Sequence, residues 1–131
     1  MTTTLVAVSA ASGSVSLHMT DYGVEVAEQD GWAVVAISGQ VDLATAPALK
    51  ERMLSLVTDG HDHLVCDLTS TEFLDSTALG ALVSVLKRLR MKGGEMRLVC
   101  TSPSILKVFD ITGLDRVFPI HPTLESATSA E

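Results

Sequence analysis

From Tyr22 to Glu28 apolar and polar residues alternate, with Val24 and Val26 on one side, and this period of two predicts a strand. Gln29-Asp30-Gly31 carries a turn signal and Trp32 to Ile37 is a more continuous apolar run, so the two segments read as a hairpin. After Thr45-Ala46-Pro47 the period changes to that of a helix. Thr45 stands as its cap, Pro47 falls in the first turn where a missing N–H costs nothing, and Leu49, Met53, Leu56 and Val57 mark a buried face that stops near Asp59-Gly60. Leu64 to Leu68 predicts a strand, Ser76 to about Met91 a long helix broken by Gly93-Gly94, and Met96 to Cys100 a further strand. Ser102-Pro103 caps a short helix ended by Gly113, Val117 to Ile120 predicts a last strand, and Thr123 to about Ala130 a final helix. Pro119 inside that last strand places it at a sheet edge, because proline cannot donate to a ladder. Strands separated by helices of about 10 to 16 residues imply parallel crossovers, so the pattern predicts an α/β sheet with one antiparallel strand at its start. No internal repeat is present.

The most informative stretch is Phe73-Leu74-Asp75-Ser76-Thr77-Ala78-Leu79-Gly80, where an acidic cap precedes two small hydroxyl residues at the mouth of the long helix. Leu79, Leu82, Val83, Leu86 and Leu89 recur at helical spacing and bury one face, which leaves Ser76 facing out. With Asp75 as N-cap, Leu74 falls at N′ and Leu79 at N4, the pair that forms a hydrophobic staple; with Ser76 as cap, Asp75 and Gly80 would fall there. Asp75 is therefore the better cap. A phosphate on Ser76 would sit among unsatisfied backbone N–H groups at the positive end of the helix dipole, worth about 0.3–1 kcal/mol at an exposed site. A partner lying over the same helix end would meet about 1.5 to 2 extra negative charges, and close like-charge contact costs several kcal/mol. Read without its surroundings, Asp-Ser-Thr is also an ordinary N-cap run.

A length of 131 residues at 47% hydrophobic suits one domain with a real core. Nine Lys and Arg against 16 Asp and Glu leave a formal charge of −7, which disfavours nucleic acid and anionic membrane as partners and favours a cationic protein surface. No Lys or Arg precedes Lys50, whereas Lys87, Arg88, Arg90 and Lys92 crowd the end of the long helix, where cations answer the macrodipole. Residues 1–20, rich in Ser, Thr, Ala and Gly, have neither the basic n-region nor the long apolar core of a signal peptide, and no apolar run approaches the length of about eighteen that a membrane span needs. They read as a flexible leader to a cytoplasmic domain over 21–131, with a residue or two able to extend an edge strand. Cys66 and Cys100 each lie in an apolar run, Leu64-Val65-Cys66 and Leu98-Val99-Cys100, the setting of buried free thiols; a disulfide between them needs neighbouring strands and suitable cross-strand geometry.

Catalytic chemistry finds little purchase. A nucleophile elbow requires Gly-x-Ser-x-Gly, and the residues around Ser76 are Leu74-Asp75-Ser76-Thr77-Ala78. None of His18, His61, His63 and His121 is assignable as a base from the sequence, and a lone His61-Asp62-His63 in a helix-to-strand loop is the pattern of solvated surface more than of a metal site. No Gly-rich phosphate loop occurs, and no cofactor is implied.

From about Tyr22 onward the chain resembles the anti-sigma factor antagonists of the STAS domain family. Ile37-Ser38-Gly39-Gln40-Val41-Asp42-Leu43-Ala44-Thr45-Ala46 is similar to the family's strand ending in Gly-Glu-hydrophobic-Asp and its Thr-Ala helix start. Asp67-Leu68 and Phe73-Leu74-Asp75-Ser76-Thr77 resemble the strand, loop and phosphorylation segment, and Val108-Phe109-Asp110-Ile111-Thr112-Gly113-Leu114 the segment after the fourth strand. Gln40 stands where Glu is usual and Ala78 where Gly is most frequent. The resemblance implies a mixed sheet of about five strands, the first antiparallel and the rest parallel, with about four helices. It implies a regulatory protein without catalysis of its own. Unphosphorylated, it would bind an anti-sigma factor that is also a serine-protein kinase and so release a sigma factor, with a phosphatase resetting it. By the same resemblance Ser76 is the phosphorylation site and Thr77 a second acceptor, while Asp75, Ser76, Thr77, Gly80, Asp42 and Thr45 form the partner-binding surface. Self-association stays open. Two other classes compete: a STAS module that senses a small anion or nucleotide or serves a transport complex, whose mark is a missing acceptor hydroxyl, and a small enzyme, which requires polar residues converging in a pocket.

Overall fold

The computed structural model describes residues 22–129; the expectations for the leader over 1–20 lie outside the described residues. Strand β1 (Tyr22–Gln29) turns through Asp30-Gly31 into β2 (Trp32–Val41). Asp30 and Gly31 have φ of 54° and 85°, and two successive left-handed residues make the hairpin turn whose twist matches the strands it joins. Helix α1 (Ala46–Thr58), β3 (His63–Leu74), α2 (Ser76–Met91), β4 (Glu95–Val99) and α3 (Pro103–Thr112) follow, then a 3₁₀ turn at Leu114–Arg116, β5 (Ile120–His121) and α4 (Leu124–Ser129). The sheet order is β1-β2-β3-β4-β5, with β1 antiparallel to β2 and every later pairing parallel. This is the mixed five-stranded sheet with four helices that the sequence led us to expect.

Alternation along the strands divides the core. Ala33, Val35 and Ile37 of β2, Leu64, Cys66 and Leu68 of β3, and Met96 and Leu98 of β4 pack with α1, α2 and α3 in one apolar cluster. Trp32, Val34, Val65 and Val99 project from the opposite face and are covered by Leu124 and Ala127 of α4. The buried Arg97 lies among them. Its guanidinium stacks 4.4 Å from the Trp32 ring centroid, donates to Glu95 Oε2 at 2.8 Å and to the Ala127 carbonyl at 2.8 Å, so the desolvated cation is compensated and α4 is tied to the sheet.

Three elements differ from the pattern reading. The third strand continues from Leu68 to Leu74, since Ser70, Thr71, Phe73 and Leu74 pair with Ser38, Gly39, Gln40 and Val41 of an equally lengthened β2. Register shifts between Ala36 and Ser38 and between Gly39 and Gln40 interrupt the period of two that would have revealed it. The last strand is only Ile120–His121. Val117 and Phe118 donate instead to the Leu114 carbonyl, and Phe118 is buried edge-to-face on Phe109, with ring centroids 6.2 Å apart. Pro119 directly precedes this strand, which does lie at the sheet edge, and gives its carbonyl to the Leu98 amide at 2.9 Å. Thr45 occupies the N-cap position of α1 without capping it: its side chain makes no bond to a helix N–H.

Candidate functional site

The parallel connection brings the end of β2 and the start of α2 together, joined by the Asp75 amide donating to the Val41 carbonyl at 3.2 Å. Asp75 has extended backbone (φ −98°, ψ −176°), and its Oδ1 accepts the Ala78 amide at 2.9 Å, the N-cap to N3 bond that satisfies one orphan donor of α2. Leu74 and Leu79, the staple pair, are both buried in the main core. With both flanks anchored, Ser76 at the first helical position is exposed, Thr77 is half-buried and Ala78 is fully buried. The methyl of Ala78 therefore points into the core and stands clear of anything approaching the helix end.

Beside this helix start runs the β2–α1 turn. Asp42 Oδ1 accepts the Ala44 amide at 3.0 Å and the Thr45 amide at 3.3 Å, while the Asp42 carbonyl accepts the amides of Thr45 and Ala46 at 3.1 and 2.7 Å. The buried Thr45 hydroxyl accepts the Asp42 amide at 3.0 Å and has the Gln40 carbonyl at 3.4 Å and Asp42 Oδ1 at 3.3 Å as acceptors for its own proton. Asp42 Oδ1 and the Thr45 hydroxyl thus serve the turn, an Asx-type closure that shapes the surface.

A groove of ≈ 400 Å³ lies between α1 and α2, lined by Pro47 and Lys50 on one side and Thr77, Gly80 and Ser84 on the other. Gly80 is exposed, and a Cβ built there meets nothing within 4 Å. Leu43 in the turn and Phe73 near the end of β3 are exposed apolar side chains at the same end of the sheet. Leu43 carried no role in the sequence reading. Its signal was an apolar residue inside an Asp-x-x-Thr turn whose polar members face inward.

The other candidate groups lie elsewhere. Lys87, Arg88 and Arg90 are exposed near the C-terminal end of α2, and Lys92 Nζ donates to the Val57 carbonyl at 3.0 Å, satisfying an end carbonyl of α1. His61 Nδ1 is 3.8 Å from Glu28 Oε2 and His63 meets the Trp32 ring edge-on at 5.1 Å. Among the described residues no group of three or more His, Cys, Asp or Glu is placed to hold a metal ion. Cys66 and Cys100 are free and buried. Cys66 pairs in register with Leu98, so Cys100 lies diagonal to it. Burial, with Asp67 adding to it, pushes the Cys66 thiol up to about 12, and burial also raises that of Cys100. Among the described residues no helix is long and apolar enough to cross a membrane.

A mixed sheet with three helices on one face and an exposed serine at the N-terminus of the second helix defines an architecture, and the STAS domain model matches it over residues 23–127. The chain belongs to the STAS domain family. Anti-sigma factor antagonists are among the proteins it is similar to. The anti-sigma-B factor antagonist of Bacillus subtilis (strain 168) is 34% identical over 102 residues, covering 78% of this chain and 93% of that protein. The crystal structure of an anti-sigma factor antagonist from Mycobacterium paratuberculosis superposes with a TM-score of 0.78 at 36% identity, covering 87% of this chain and 97% of that one. The antagonist SpoIIAA in its unphosphorylated form shares the fold, with a TM-score of 0.64 at 16% identity over 79% of this chain and 92% of that one.

Proposed function

We propose that this chain is an anti-sigma factor antagonist switched at Ser76. Unphosphorylated, it binds a cognate anti-sigma factor in the cytoplasm and frees a sigma factor; phosphorylated at Ser76, it lets go. The anti-sigma factor is itself the serine-protein kinase, a phosphatase restores the hydroxyl, and this chain is substrate and ligand, with no catalytic step of its own. The observation that carries the reading is the exposed Ser76 hydroxyl at the first position of α2, directly after a cap held by bonds to Val41 and Ala78. Asp75 sets the helix start and touches the partner, Thr77 is a neighbouring contact and second acceptor, Gly80 gives the partner room, and Asp42 and Thr45 shape the adjoining turn.

The energetics support a switch rather than a stability change. A phosphate on Ser76 adds about 1.5 to 2 negative charges beside free helix N–H groups, which the isolated domain accommodates at a gain of about 0.3–1 kcal/mol. Under a partner the same bulky dianion must be dehydrated, and a cost of about 3 kcal/mol lowers affinity roughly a hundredfold. The anti-sigma factor is identified by capture on the wild-type chain from its native cytosol, purified, and titrated calorimetrically. Wild type and Ser76→Ala bind alike, Ser76→Asp does not, and kinase with ATP places one phosphate on Ser76 by mass spectrometry. Equal affinity of Ser76→Asp and wild type, or a phosphate that persists in Ser76→Ala, refutes the assignment.

A further inference from the structure

Four large apolar side chains are strongly exposed among the described residues: Leu43 (72%), Phe73 (48%), Met91 (81%) and Ile111 (72%). Met91 and Ile111 lie in the last turns of α2 and α3. Leu43 and Phe73 instead flank the joint from which α2 starts. Gln40 pairs with Phe73 and Val41 with Leu74, and the Asp75 amide donates to the Val41 carbonyl, so each exposed side chain is two residues from that bond in its own segment.

We infer that Leu43 and Phe73 are the apolar anchors of the partner interface, and that the anti-sigma factor receives them in an apolar socket rimmed by Arg or Lys; this rests on the function proposed above. Both are held in place before any partner arrives. Leu43 rides on the turn closed by Asp42 Oδ1, and Phe73 is fixed between its pairing to Gln40 and the buried Leu74. An apolar side chain carried on ordered backbone spares the cost of ordering its segment on association. Leu43 is 72% and Phe73 48% exposed, while Val41 and Leu74, on the same two segments, are buried. Asp42, Glu72 and Asp75, next in chain to the two anchors or to Ser76, are acidic, and no cation among the described residues pairs with them. That charge selects a cationic rim and steers its approach. A phosphate on Ser76 falls one residue beyond the bond that joins the two anchor segments, where its bulk and hydration keep the socket from seating.

The test titrates the purified anti-sigma factor against Leu43→Ala and Phe73→Ala, with Met91→Ala and Ile111→Ala as controls elsewhere on the surface. Each anchor variant is expected to weaken binding by about tenfold to a hundredfold with an unchanged melt, the controls to bind as wild type, and wild-type association to slow as salt is raised. If Phe73→Ala melts early, Phe73→Thr keeps strand propensity and gives the same reading. Wild-type affinity in both anchor variants, with Ser76→Asp still failing to bind, overturns the anchors and leaves the switch standing. Wild-type affinity in Ser76→Asp overturns the switch, and the anchors with it.

Discussion

Replacing Asp75 by alanine removes the acceptor that holds the Ala78 amide at 2.9 Å and leaves one of the first N–H groups of α2 without a protein partner. Loss of an N-cap of this kind costs about 0.5–2 kcal/mol. The upper half of that range applies here, because α2 contributes seven buried side chains to the core and cannot fray its first turn without exposing Ala78 and Leu79. Part of the loss is charge, about 0.3–1 kcal/mol for a carboxylate at the positive helix end, and Asp75→Asn separates it by keeping an oxygen acceptor while removing the charge. In a domain of this size a loss of 1 kcal/mol lowers the melting temperature by about 4 °C or more. Urea melts should therefore show a lower midpoint for Asp75→Ala at unchanged m, with Asp75→Asn in between and Ser76→Asp no lower than wild type. Coincident curves for Asp75→Ala and wild type would falsify the cap. An Asp75→Asn as unstable as Asp75→Ala would show that charge, and not the bond to Ala78, stabilises the helix start.

Gly80→Ala is expected to raise stability by about 0.8–1 kcal/mol, since a glycine inside a helix costs that much and the added methyl meets nothing within 4 Å. The same variant should bind the anti-sigma factor more weakly than wild type if the groove beside Gly80 is occupied, which melting and titration on one preparation resolve. Cys66 makes stability depend on alkaline pH. Its thiol ionises near 9.0 in the unfolded chain and only at about 12 when folded, so the folded state holds the extra proton between those values. Stability therefore falls as pH rises from 9.0 towards about 12 and is untouched by this group below 9.0. Melts of wild type and Cys66→Ala across that window should converge as pH rises, and a constant gap would refute the assignment.

The elements most legible along the chain were those whose causes lie within a few residues. The Asp-Gly turn, the cap at Asp75 with its Leu74 and Leu79 staple and the outward Ser76 all follow from bonds, contacts and periods of five residues or fewer. The geometry of the candidate site was legible for the same reason: a cap, an exposed hydroxyl and an apolar stripe on one helix are local facts. Its neighbours were not. Thr45 has the residue type and position of a cap, yet its hydroxyl is taken up by Asp42 and Gln40 in the turn before the helix. Lys92, one of a cluster that read as a solvated helix end, reaches the last turn of α1, 35 residues away in sequence.

Capping and amphipathic period are set by adjacent side chains, so the long helices and the start of α2 were already readable along the chain. What surrounds that start depends on contacts distant in sequence. The bulged pairing of β2 with β3 carried the strand through to Leu74, and the bond from Asp75 to Val41 joined the segments that carry Leu43, Phe73 and Ser76. Exposure is a property of packing. Leu43 and Leu49 are the same residue type six positions apart, and only the assembled sheet and helices leave the first 72% exposed and the second 1%.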